Sequence, residues 1–113
     1  MVVDRLGAAD ADRVFHALAD ATRRDIIRQV MNTELSVSAL ARRYPMSFAA
    51  VQKHVTVLER AALVTKSRKG REQLVRADVT TLRRATLLLD EYERIWRGRN
   101  DRIEEILAET PDR

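Results

Sequence analysis

Pro45 does most to constrain how this chain can fold. A proline disfavours helical backbone at the residue before it, so a helix approaching it must stop at Tyr44. Upstream, Ser36 can cap a short helix whose Val37, Leu40, Ala41 and Tyr44 face inward. Downstream, after Met46, Ser47 can cap another that runs to about Ala61. Its Val51, Val55, Leu58 and Ala62 fall at i, i+4, i+7 and i+11, a continuous apolar stripe. Two such helices joined by about three residues form the helix-turn-helix pattern.

The rest of the chain builds around that pair. A first helix is expected from Asp10 to about Ala19, with Val14, Phe15 and Leu18 on one stripe and looser residues before it. Asp20 can cap a second, carrying Ile26, Ile27, Val30 and Met31 and ending near Asn32; Thr33–Leu35 then reads as a connector. Beyond the fourth helix the period changes. Leu63–Ser67 and Glu72–Arg76 are short extended runs separated by Arg68-Lys69-Gly70-Arg71, which predicts a β-hairpin. Asp78 or Thr80 opens a last helix reaching Glu109. Along it Leu82, Leu89, Trp96 and Ile103 recur every seven residues, with Ala85, Tyr92 and Ile106 between them and Arg99 as the interruption. A long helix with one apolar stripe needs a partner. Gly98 predicts a bend near its middle, and Pro111 an end to order with a short disordered tail.

The expected fold is therefore mainly α with a small β-hairpin, in the order α-α-α-α-β-β-α. The 113 residues have room for a single domain, with a core at about 12–76 and a long helix at about 78–109. Hydrophobic residues make up 45% of the chain and aromatics only 4%, so the core must be aliphatic. The chain has no cysteine, which removes disulfides, thiolate metal sites and thiol redox sensing together. No signal-peptide pattern and no apolar run near 20 residues is present, so a soluble, cytoplasmic protein without a membrane partner is expected.

Away from its apolar stripe, the fourth helix presents Ala49, Lys53, Thr56 and Arg60, flanked by Gln52 and Ala50, with no acid before Glu59. By itself such a face is either plain solvent surface or a reader of the DNA major groove. Gln52 can pair with adenine, Lys53 with guanine or phosphate, and alanine methyls can touch thymine methyls. The helix start at Ser47 offers N–H groups to a phosphate. The hairpin decides between the two. Lys66, Arg68, Lys69, Arg71 and Arg76 crowd into eleven residues opposed only by Glu72, a wing suited to the phosphate backbone. Helix, turn, helix and basic hairpin in that order point to double-stranded DNA, and the net charge of +4 agrees.

The runs LADATRRDII (Leu18–Ile27), ELSVSALA (Glu34–Ala41) and SFAAVQKHVTVLERAALV (Ser47–Val64), with Gly70–Arg71, resemble the ArsR family of winged-helix transcription regulators. The resemblance covers about residues 12–76. The run from Leu89 through Glu105, with Trp96 and Arg102-Ile103-Glu104, looks like a subgroup of autorepressors without a metal site. The resemblance implies a homodimer built from the first and last helices, which here offer Val14, Phe15, Leu82, Leu89, Tyr92, Trp96, Ile103 and Ile106. It places the third and fourth helices on DNA, with Ser47, Ala50, Gln52, Lys53 and His54 in the recognition helix and Arg68 to Arg71 in the wing. The sequence departs from the family at Phe48, usually polar, and at Ala49, often proline. Phe48 lies near the buried edge of the helix and is expected to pack inward.

Thiolate-sensing members carry cysteines where this chain has Ser36 and Ser38, and a hydroxyl is a poor ligand for soft metals. The two histidines, His16 and His54, are not on the last helix, where an alternative family site would lie. No metal, and no other cofactor, is expected. His16 reads as a surface or packing residue, and His54 either reaches phosphate or supports the turn. Arg23 and Arg24 read as surface or phosphate-neighbouring. The sequence names no effector. With no nucleophile–base pair, paired-carboxylate motif or Gly-rich phosphate loop, it offers no catalytic constellation.

Overall fold

Three side-chain caps set where helices begin, each by accepting an otherwise orphaned backbone N–H. Asp20 accepts from the Arg23 amide (3.0 Å), Ser36 from Ala39 (3.0 Å) and Ser47 from Ala50 (3.1 Å). The computed structural model describes residues 5–109. Its elements are α1 (Ala8–Leu18), α2 (Ala21–Gln29), β1 (Leu35–Ser36), α3 (Val37–Ala41), α4 (Phe48–Arg60), β2 (Val64–Lys69), β3 (Glu72–Ala77) and α5 (Val79–Glu109). The expected end of order at Pro111 lies outside the described residues.

The hairpin has a third strand that the sequence did not announce. Leu35 pairs with Val75 and Ser36 with Leu74, so the antiparallel sheet has the order β1-β3-β2. Part of the expected connector is thus sheet, because two residues are too few to display an alternating pattern. Ser36 serves twice, pairing in the sheet and capping α3 from a buried position. The strands β2 and β3 run to Lys69 opposite Glu72, leaving Gly70 and Arg71 as a two-residue turn. Gly70 takes a φ of 64°, a left-handed value that glycine adopts without strain.

Three helix ends differ from expectation, the second helix stopping at Gln29, short of Asn32. The first helix begins two residues earlier, at Ala8. The third ends at Ala41, and Tyr44 lies beyond it in the turn, donating its hydroxyl to Asp25 Oδ2 at 2.7 Å. Burial and that carboxylate hold the Tyr44 phenol protonated well above the usual tyrosine range.

The core is aliphatic and continuous, with Val14, Ile26, Val30, Leu40, Val51, Val55, Leu58, Leu63 and Val75 all fully buried. Val14 is therefore a residue of the protomer's own core. Its side chain is used up inside the chain, which corrects its placement at a dimer contact. Leu82 likewise packs against this core.

The end of α4 aims the chain into the wing. Leu63 N–H donates to Leu58 O (3.0 Å) and Ala62 N–H to Glu59 O (2.9 Å), the two bonds of a Schellman motif. Ala62 sits at its left-handed position with φ 59°. It was read as the end of the buried stripe but is exposed, because the helix has already stopped; Ala61 is buried instead. A Cβ at such a φ costs about 1–2 kcal/mol, partly offset by the entropy a glycine loses on folding. Ala62→Gly is expected to stabilise the fold by about 0.5–1 kcal/mol, raising the thermal midpoint by roughly 3–6 °C. An unchanged or lower midpoint in a calorimetric scan would contradict this.

The last helix runs unbroken from Val79 to Glu109, through Gly98. Asp78 accepts from the Thr80 amide at its start. Thr81 and Ala85 enter the core. The same helical face then carries Leu89, Tyr92, Trp96 and Ile103, which are exposed. At 1.5 Å per residue, the 31-residue helix is about 46 Å long. Among the described residues, no helix is long and apolar enough to cross a membrane.

Candidate nucleic-acid interface

Burial of Val51, Val55 and Leu58 forces the opposite side of α4 outward. Ser47, Ala49, Gln52, Lys53 and Arg60 are exposed, and Ala50 and Thr56 are partly so. The Thr56 hydroxyl donates back to Gln52 O at 3.0 Å within the helix. A shallow groove follows this face, lined by Ala49, Gln52, Lys53, Thr56, Val57 and Arg60. It holds no acidic side chain.

At the wing tip Arg68, Lys69 and Arg71 are all exposed. A cleft between α3, the first turn of α4 and the wing is lined by Val37, Ser38, Phe48 and Gln52 and by Arg68, Arg71, Glu72 and Gln73. The fold therefore brings part of the exposed α4 face and two of the three tip cations to one surface. Hydrogen-bonding and cationic side chains are thus presented together there.

Two residues expected on this surface stand apart from it. Lys66 Nζ lies 3.3 Å from Glu59 Oε1 with its side chain only 18% exposed, so its charge is matched at the base of the wing. His54 turns toward α2, with Nδ1 3.3 Å from Arg23 Nη1 and 3.9 Å from Asp20 Oδ2. It therefore supports the junction of α1 and α2 and not the turn between α3 and α4. Phe48 departs in the other direction. As the first residue of α4 it overhangs the end of the buried stripe, and it is 48% exposed instead of packed inward.

Arg23 and Arg24 have a role that the sequence reading missed. Arg23 donates through Nε to Ala17 O (2.8 Å) and through Nη2 to His16 O (3.1 Å), while Arg24 Nη1 donates to Leu18 O (2.7 Å). Both guanidinium groups thus cover the carbonyl end of α1, where a helix dipole favours cations. With its contact to His54, Arg23 ties α1 and α2 to α4. Basic residues placed just past a helix end were the available signal.

Asp20 belongs to the same junction. The Arg23 amide donating into its carboxylate is the main reason its pKa is lowered, with the neighbouring His54 and Arg23 charges adding to the effect. A carboxylate whose folded pKa is depressed contributes stability above its unfolded pKa and loses it as pH falls through the folded value. Asn also caps helices, so Asp20→Asn retains the cap and removes the titration. The wild type is expected to lose its advantage over this variant as the pH falls below the ordinary aspartate value of about 3.9 and through the lowered value of the folded state. Urea melts at a series of pH values would show it, and a constant gap between the two proteins would refute it.

Ser36 Oγ is engaged by its capping bond, and among the described residues no group of three or more His, Cys, Asp or Glu is placed to hold a metal ion.

A helix-turn-helix whose second helix exposes a face with no acidic side chain before Glu59, with a basic wing beside it, defines a winged helix-turn-helix DNA-binding transcriptional regulator. No protein-family model matches the chain. Individual proteins do. Over 85 residues it is 38% identical to the HTH-type transcriptional regulator Rv2034 of Mycobacterium tuberculosis, spanning 75% of this chain and 77% of that one. An ArsR-like transcriptional regulator from Rhodococcus sp. RHA1 superposes with a TM-score of 0.78 at 34% identity, covering 87% of this chain and 92% of the other. The homodimeric winged helix-turn-helix DNA-binding domain Mb0332 of Mycobacterium bovis shares the fold, with a TM-score of 0.63 at 24% identity over 75% of this chain and 80% of that one. The chain belongs to the ArsR family of transcriptional regulators.

Proposed function

We propose that two copies of this chain bind one pseudo-palindromic operator and repress transcription, that of their own gene included. The observation that carries this reading is the exposed, acid-free face of α4 lying beside the wing cations. On this reading, residues of about 12–76 form the DNA-binding part of a single domain and α5 joins the protomers. Ser47, Ala49, Ala50, Gln52, Lys53, Thr56 and Arg60 face the major groove, and Arg68, Lys69 and Arg71 meet phosphates. Support for the pairing comes from the apolar stripe of α5 beyond the core, and the Mycobacterium bovis domain of the same fold is homodimeric. The protein acts in the cytoplasm, without catalysis of its own.

A footprint on the DNA upstream of its own gene tests the proposal. Protection is expected over two half-sites whose centres lie about 10–10.5 bp apart, or a multiple of that, because two-fold protein symmetry is mirrored in the site. Lys53→Ala is expected to weaken binding by about 1–3 kcal/mol if the side chain contacts a base. Absence of any protected DNA would favour a protein-docking module of the same fold. Full affinity in Lys53→Ala would remove α4 from the reading role.

A further inference from the structure

Phe48 opens α4 with 48% of its surface exposed, and Gln52 follows four residues later on the same face. Both line the cleft that Arg68 and Arg71 of the wing also border. In this class of motif the first turns of the recognition helix lie closest to the base edges. Most groove-edge groups in the major groove are hydrogen-bond donors or acceptors, and a phenyl ring satisfies none of them. The apolar exception is the C5-methyl of thymine. Flanking arginines on phosphates would press that part of α4 against the base edges and exclude water around the ring.

We propose that Phe48 is a specificity-determining residue, its ring packing on the C5-methyl of a thymine close to the base read by Gln52. Four residues of helix rise about 6 Å, against about 3.4 Å per base step, so the two contacts lie within about two base pairs of each other. The contact selects T over C at that step by apolar burial. This inference rests on the reading of α4 as the DNA-reading helix, and the experiment separates the two.

The wild-type protein is used to select duplexes from a random pool. Each thymine of the winning duplex is then replaced in turn by deoxyuridine, which removes the methyl and retains base pairing. At one thymine per half-site the wild type is expected to lose about four-fold in affinity, the value of one buried methyl-sized group. Phe48→Ala, with an unchanged melting temperature, is expected to bind the thymine and deoxyuridine forms of that position equally. The inference is overturned if methyl sensitivity is the same in both proteins at every thymine. If selection enriches no duplex at all, the reading of α4 falls and this inference falls with it.

Discussion

With Trp96 replaced by glutamate, the protein is expected to sediment as a monomer and to bind a two-half-site duplex about 10²–10⁴-fold more weakly. The face of α5 that packs Thr81, Leu82 and Ala85 into the core continues past it as Leu89, Tyr92, Trp96 and Ile103. The seven-residue spacing keeps these side chains in line along the helix. Trp96 is 62% exposed in the single chain, so its loss removes nothing from the protomer's core. A carboxylate in a helix–helix seam would have to give up its hydration without a partner, and the paired state is penalised by several kcal/mol. Once the pair is lost, the second half-site no longer gains from the effective concentration the first supplies. Circular dichroism should show the helical content retained, and sedimentation the change of mass. A variant that still sediments as a dimer would place the interface elsewhere, with Phe15 on α1 the next residue to test.

What the sequence made legible was whatever a short local pattern determines. Asp20, Ser36 and Ser47 cap where they were expected to, because a cap requires only its own side chain and the next helical turn. The buried stripe of α4 follows from helical periodicity, and the exposed opposite face comes with it. Several of the misses were set by contacts between different elements. The strand β1 exists only because β3 offers an edge to Leu35 and Ser36. Lys66 counted as a wing cation until the fold set Glu59 beside it. The direction of His54 depends on Asp20 and Arg23, more than thirty residues upstream. Its angle around the helix places Phe48 toward the core, yet at the first residue of α4 about half of it stays exposed. Val14 fell on the stripe of a helix expected at a dimer contact, and the packing of α2 and α4 against α1 decided its burial.

Removing the wing cations should produce the other large effect, and one that is distinct from loss of dimerisation. In Arg68→Ala/Lys69→Ala/Arg71→Ala, Gly70 and every strand pairing of the hairpin are retained, and all three deleted side chains are exposed. The fold should therefore survive. Two wings per dimer would lose six cations, and each phosphate contact contributes about −0.9 to the slope of log affinity against log salt. The slope is expected to flatten by about 5. Between 50 and 200 mM salt the wild type should lose roughly 10³-fold more affinity than the variant does. If Gln52 and Lys53 on α4 discriminate bases as proposed, that discrimination should persist, so relative preferences among duplexes change little while every affinity falls. Lys66→Ala is the internal control. Its charge is already matched by Glu59, so its slope should stay near that of the wild type. Equal slopes for the triple variant and the wild type, measured by salt titration of a fluorescent duplex, would show that the wing does not touch the phosphate backbone.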